Sequence, residues 1–135
     1  MKKIVIIGAN DFQNQLILKA KEMGFETHVF AWQDGSIGER TADHFYPVSI
    51  VEIDEILEKC REIKPDAVAT IASDLANITV SKVAAGLGLP GNTPECIELS
   101  TNKYAMRSAF LKAGLPTPKF YKVDLLDAPA LTKVF

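Results

Sequence analysis

Two stretches of this chain carry residues whose types and spacing could hold a ligand: GANDFQNQ at residues 8–15 and IASDLAN at residues 71–77. Each follows an apolar run and opens a helical pattern, where backbone N–H groups and a helix N-terminus can cradle a phosphate or carboxylate. In the first, Gly8, Ala9, Asn10, Asp11 and Phe12 form the turn. A helix cap supplied by Asn10 or Asp11 accounts for that turn equally well. In the second, Ser73 and Asp74 read first as a helix cap and second as ligand contacts, because both turns face one crevice if the strands run parallel. The first turn is not a dinucleotide fingerprint. A G-x-G-x-x-G beginning at Gly8 needs glycine where Asn10 and Gln13 stand, and no acidic residue directly ends the following strand.

Other chemistries find less support. His28 falls inside a strand pattern and His44 at the start of another, without paired His, Cys or carboxylate spacing, so neither a metal site nor a histidine catalyst is indicated. No serine sits in a nucleophile elbow. Phe12, Trp32, Phe45 and Tyr46 read as packing aromatics. Cys60 lies on an apolar helical stripe and Cys96 in a separate helical segment, which points to two reduced thiols and a cytoplasmic setting. The net charge of −2, with both signs scattered, gives no footprint for nucleic acid or an anionic membrane surface. No apolar run is long enough to span a bilayer. The opening run breaks at Asn10 and Asp11, too soon for a signal peptide.

The elements that must position the two turns follow from periodicity. KIVIIG is a continuous apolar strand pattern ending in glycine, followed by a helix with Phe12, Leu16, Ala20 and Met23 on one stripe and Gly24 at its end. FETHVFAW is a second strand, residues 33–43 a loop, and HFYPV a short third strand whose Pro47 suggests an edge or an end. Ile53, Ile56, Leu57, Cys60 and Ile63 mark a helix stopped by Pro65, and DAVATIA a fourth strand. Leu75, Ile78, Val83, Ala84 and Leu87 mark the next helix, ending in GLGLPG. Thr93 and Pro94 start a short helix, and another, from Asn102 to Ala113, is expected to bury Met106, Ala109, Phe110 and Ala113. KFYKV is strand-like, and APALTKVF begins a helix with Leu131, Val134 and Phe135 apolar. Alternating strands and helices call for an α/β fold: a Rossmann-like three-layer sandwich with a mainly parallel sheet, followed by a helical connector.

The order of segments resembles the N-terminal, pre-ATP-grasp region of ATP-grasp ligases, the family that includes biotin carboxylase, carbamoyl-phosphate synthetase and the purine-pathway carboxylate-amine ligases. The similarity lies in IVIIGAN, KAKEMGFETHVF, TADHFYPV, KPDAVAT, SKVAAGLGLPGNTPE and above all NKYAMRSAFLKAGLPTPKF. The last piece is similar to the family's connector into its ATP-binding module. The chain departs from the purine-pathway pattern at Asn10 and Gln13, where that loop has further glycines. It also lacks a GYGFLSE-like run of the biotin carboxylase kind.

The resemblance implies a substrate site shared by residues 8–12 and by Ser73 and Asp74, and an ATP-phosphate contact at Lys103. It implies a domain over residues 1–118 with connector helices, and a linker over residues 119–135 into an ATP-binding domain or chain following Phe135. ATP and magnesium would be held mostly by that later part. The implied activity is ATP-dependent carboxylate-amine ligation through an acyl phosphate, with a small-molecule carboxylate as substrate and a homodimer as one assembly. The 135-residue chain alone is expected to be inactive. A non-catalytic nucleotide- or anion-binding module, or a partner subunit, is the alternative.

Overall fold

KIVII and ETHVF become the two central strands, β1 (Lys3–Ile7) and β2 (Glu26–Phe30), of a four-stranded parallel sheet in the computed structural model, which describes residues 1–132. The edges are β3 (His44–Tyr46), which ends just before Pro47, and β4 (Ala67–Ala69), giving the order β3-β2-β1-β4. Side chains alternate across β1, and both faces are apolar. Val5 and Ile7 join Phe30 and Val68 in a core closed by Ile56, Cys60 and Ile63 of α3 (Ile53–Ile63) and by Ala76 and Val83 of α4 (Asp74–Leu87). Ile4, Ile6 and Val29 point the other way, against Ile17 and Ala20 of α1 (Asp11–Glu22). Helices therefore cover both faces, and the fold is the expected three-layer α/β sandwich. Each fully buried Ile or Val contributes about 1.5–3 kcal/mol, so this double-sided strand is the fold's main anchor.

The chain leaves β1 for β2 on one side and later enters β4 on the other. The carboxyl ends of β1 and β4 thus form a topological switch point, where the connections diverge and leave a crevice.

The residues fall into two compact units, Met1–Ile97 and the part from Glu98 onward. The division falls within α5 (Pro94–Thr101). In the second unit, α6 (Lys103–Lys112) is capped by Asn102, whose Oδ1 accepts from the amides of Tyr104 and Ala105 at 3.1 Å each. Phe120 meets the Tyr104 ring edge-on at 5.5 Å between centroids, folding the extended segment back along its own helix. A last short helix, α7, spans Ala128–Thr132. Val134 and Phe135, expected on its apolar stripe, lie outside the described residues.

Several local expectations are corrected. Residues 33–43 are not all loop, since a five-residue helix, α2 (Ile37–Thr41), lies among them. The buried stripe of α1 is Gln13, Asn14, Ile17 and Ala20, whereas Phe12 and Met23 are exposed. Hydrophobic spacing misplaced the stripe because two amides, Gln13 and Asn14, occupy inward positions near the helix start. Leu75 of α4 is likewise exposed; Ala76 and Thr79 are buried in its place, together with the expected Val83 and Ala84. KFYKV forms no strand, having no neighbouring strand to supply a ladder. No residue of α6 is buried; Met106 and Ala109 are half-covered, and Phe110 and Ala113 are exposed. Cys60 is wholly buried, and burial pushes its thiol up to about 12, so it behaves as a small apolar residue.

Candidate functional site

The two turns singled out in the sequence meet at the switch point. Gly8, Ala9 and Asn10 from the first and Ser73 from the second line one cavity of about 160 Å³, next to an open trough of about 520 Å³ along residues 70–74 and Asn77. Asp74 borders the trough only, while Asp11 and Phe12 line neither space; Phe12 is 65% exposed. All of these residues belong to the first unit. Lys103, the exposed first residue of α6, belongs to the second.

Side-chain capping accounts for two of the candidates. Asn10 Oδ1 accepts from the amides of Phe12 (2.9 Å) and Gln13 (3.4 Å), and Ser73 Oγ accepts from the Ala76 amide (3.1 Å). Each cap satisfies helix N–H groups that would otherwise lack partners. It also fixes the direction of α1 and α4, whose first turns both border the crevice. The Gly8 amide is also occupied, donating to the Phe30 carbonyl at 2.9 Å.

Three further residues shape the site. Gln13, 1% exposed, donates from Nε2 to the Ile71 carbonyl and so ties the two turns together. Gly8, at φ +101°, passes so close to Gln13 that a Cβ would stand 3.0 Å from its side chain. Gly38 donates to the Ala9 carbonyl at 3.0 Å, and a Cβ there would lie 2.6 Å from that oxygen. That close approach is what packs α2 beneath the first turn. Ala72 sits at φ 56°, the left-handed region that ordinary L-residues enter at a cost. The signal for Gln13 in the sequence is a glutamine at a position where a dinucleotide fingerprint would carry glycine.

The trough is mostly polar, the cavity is lined by polar and apolar residues alike, and each carries one aspartate. Asp34 borders the cavity and accepts from both the amide and the hydroxyl of Ser36, which hold its carboxyl below the usual aspartate range and keep it ionised. Neither cavity is lined by Lys or Arg. Trp32, expected to pack, is 69% exposed on the cavity wall, where its ring is free to stack on a ligand. Phe45 and Tyr46 do pack, against opposite faces of the sheet.

A second cluster lies at the other end of the strands. His28 pairs with His44 in the parallel register, and Glu26 lies two residues before His28 on the same face. Their separation in sequence hides the group, and only strand pairing assembles it. No described helix is long and apolar enough to cross a membrane.

No protein-family model and no curated protein matches the chain. Solved structures do. Phosphoribosylglycinamide synthetase from Anaerococcus prevotii aligns at 24% identity and a TM-score of 0.75, over 98% of this chain and 34% of its own. L-amino acid ligase from Bacillus licheniformis aligns at 24% identity and 0.79, over 93% and 34%. N5-carboxyaminoimidazole ribonucleotide synthetase from Thermotoga maritima aligns at 23% and 0.75, over 98% and 36%. The chain therefore spans about a third of the length of the structures it matches. Identity at this level speaks for fold, and the fold of this chain is that of the N-terminal, pre-ATP-grasp domain of the ATP-grasp ligases.

Proposed function

We propose that the chain is the substrate-binding N-terminal domain of an ATP-dependent carboxylate-amine ligase, with Gly8, Ala9, Asn10, Ser73 and Asp74 holding the acyl substrate. The observation that carries this reading is the convergence of Gly8, Ala9, Asn10 and Ser73 on one cavity, bridged by Gln13. The inner cavity, about 160 Å³, suits a small carboxylate and is below the roughly 300 Å³ of ordinary ligand pockets. With the Gly8 amide already occupied, the substrate's carboxylate would meet those of Ala9 and Asn10. Asp34 repels a bare anion and favours a substrate that also carries an amine or hydroxyls.

ATP and magnesium belong to the longer protein in this reading. The crevice walls offer no cation for a triphosphate. The one described group of three metal-ligating side chains is rich in imidazole, which magnesium does not favour. Residues 102–118 form the connector, Lys103 contacts phosphate once the ATP-binding part is present, and residues 119–135 lead into that part. The acyl-phosphate route then rests on charge stabilisation by lysines and magnesium, the chemistry MgATP supplies when bound. The small-molecule substrate, the cytoplasmic setting and a homodimeric assembly are parts of the same proposal.

A second reading, a binding module that acts without catalysis, is favoured by the completeness of the crevice within the first unit. Titrating the labelled chain with acetate, phosphate and an amino acid, followed by amide NMR, tests the site. Shifts at Ala9, Asn10 and Ser73 that are largest for the amino acid are expected. Shifts confined to other residues would rule the crevice out.

A further inference from the structure

We propose that Glu26, His28 and His44 form a binding site for a divalent transition-metal ion, best suited to zinc, at the amino-terminal end of the sheet and separate from the crevice. The group is built by the strands. Glu26 and His28 are two residues apart and so share one face of β2, and His44 of edge strand β3 stands directly opposite His28. The two Nε2 atoms converge on a single oxygen: Glu26 Oε1 lies 3.1 Å from His28 Nε2 and 3.0 Å from His44 Nε2. All three ligand atoms lie within 4.8 Å of one another. With zinc bonds of about 2.0–2.1 Å, the edge of a tetrahedron is roughly 3.3 Å, so both nitrogen-oxygen separations are within a few tenths of the requirement. Two imidazoles and one carboxylate, with a position left for water, are a donor set that zinc takes readily and magnesium does not.

The partner behind the first ligand is also present. His28 is 4% exposed, and its Nδ1 lies 2.9 Å from the Tyr46 hydroxyl. An ionised carboxylate only accepts, so in the metal-free state His28 Nε2 carries the proton and the neutral ring's Nδ1 accepts from Tyr46. Metal at Nε2 needs the other tautomer, with the proton on Nδ1 and donated to Tyr46 Oη. A hydroxyl serves either direction, and no net proton is lost by the neutral ring.

The rings of His28 and His44 are stacked, 4.5 Å apart and 18° from parallel, so their in-plane lone pairs cannot meet at one ion as they stand. His44 is the ring that must tilt, and its half-exposed place on the edge strand permits this. Lys3 Nζ, 4.0 Å from Glu26 Oε1, competes for the same carboxylate.

Calorimetric titration of the chain with zinc chloride is the test. One ion per chain is expected with a dissociation constant at or below about 10 µM. His44→Ala and Glu26→Gln should each weaken it at least tenfold, and Tyr46→Phe by roughly tenfold, as for other losses of a partner that orients a metal-bound histidine. Lys3→Met should tighten it several-fold, whereas Cys96→Ser should leave it unchanged. Folding of each variant is checked by its thermal transition. Absence of saturable binding up to about 100 µM zinc, or binding that survives His44→Ala or disappears with Cys96→Ser, would overturn the proposal.

Discussion

The side-chain amide of Gln13 donates to the carbonyl of Ile71, so that the first turn of α1 and the strand-helix turn after β4 are held as one wall of the crevice. Gln13→Ala should leave that part-buried carbonyl without its partner and destabilise the fold by about 1–3 kcal/mol. The urea midpoint measures the cost. Amide shifts at Ala72 and Ser73 in the ligand-free variant would show the turn released. A variant matching the parent in both respects would make Gln13 a bystander.

Gly38 carries a steric prediction. Its missing Cβ is what lets the start of α2 reach the Ala9 carbonyl, and a methyl group would stand 2.6 Å from that oxygen. Gly38→Ala should cost about 1–3 kcal/mol, the usual range for overpacking, and displace the Ala9 amide signal. Gly35→Ala is a poor control because φ there is +85°; Gly86→Ala, which meets only the flexible Leu57 side chain, is the better one and should be milder.

Asp43 gives a pH dependence. Its carboxylate accepts from Lys21 Nζ (2.7 Å) and from the Thr27 amide (2.9 Å) and hydroxyl (2.8 Å). The Lys21 hydrogen bond, then that of the Thr27 amide, holds its pKa down at about 2, against an ordinary 3.8. A depressed carboxylate stabilises the fold above the unfolded value, and this part of the stability should fade as pH falls from 3.8 towards about 2. Asp43→Asn should lose about 1 kcal/mol at neutral pH, a modest figure because the pair is about a third exposed. It should also show a shallower decline in acid. Denaturation midpoints across that range decide the matter, and parallel acid profiles would exclude Asp43 as the cause.

Two left-handed residues should respond alike in stability and differently in binding. Lys64 closes α3 at φ 56°, and Ala72 holds the same φ beside the crevice. Glycine at either position relieves the clash, offset by a more flexible unfolded chain, for a net gain of about 0.5–1 kcal/mol. Lys64→Gly should leave ligand shifts at the crevice intact. Ala72→Gly should weaken them, because it loosens the turn that presents Ser73. Equal ligand response in both variants would mean that the strained turn is irrelevant to binding.

Lys103 should matter only where the ATP-binding part is present. In a longer protein that turns over ATP, Lys103→Met should weaken nucleotide use by about 1–3 kcal/mol, the range for a hydrogen bond to a charged group. Unchanged KM for ATP and unchanged kcat would make Lys103 an ordinary surface lysine.

The sequence by itself determined the layers. Val5, Ile6 and Ile7 make β1 apolar on both faces, which only a sheet covered on both sides can bury, and Asn10 and Ser73 announce the helices they cap. It also placed both turns of the crevice, because a turn after a buried parallel strand must open at the strands' carboxyl ends. Tertiary structure decided what periodicity cannot carry. Gln13 is inward because its amide finds the Ile71 carbonyl, a bond across 58 residues that outweighs the apolar claim of Phe12 next to it. Trp32 is outward because β2 ends at Phe30 and the chain has by then left the sheet. His28 and His44, sixteen residues apart and unremarkable in sequence, stand side by side solely because β2 and β3 pair in the register that sets His28 against His44. Register is a property of two strands together, and neither strand's residues state it alone.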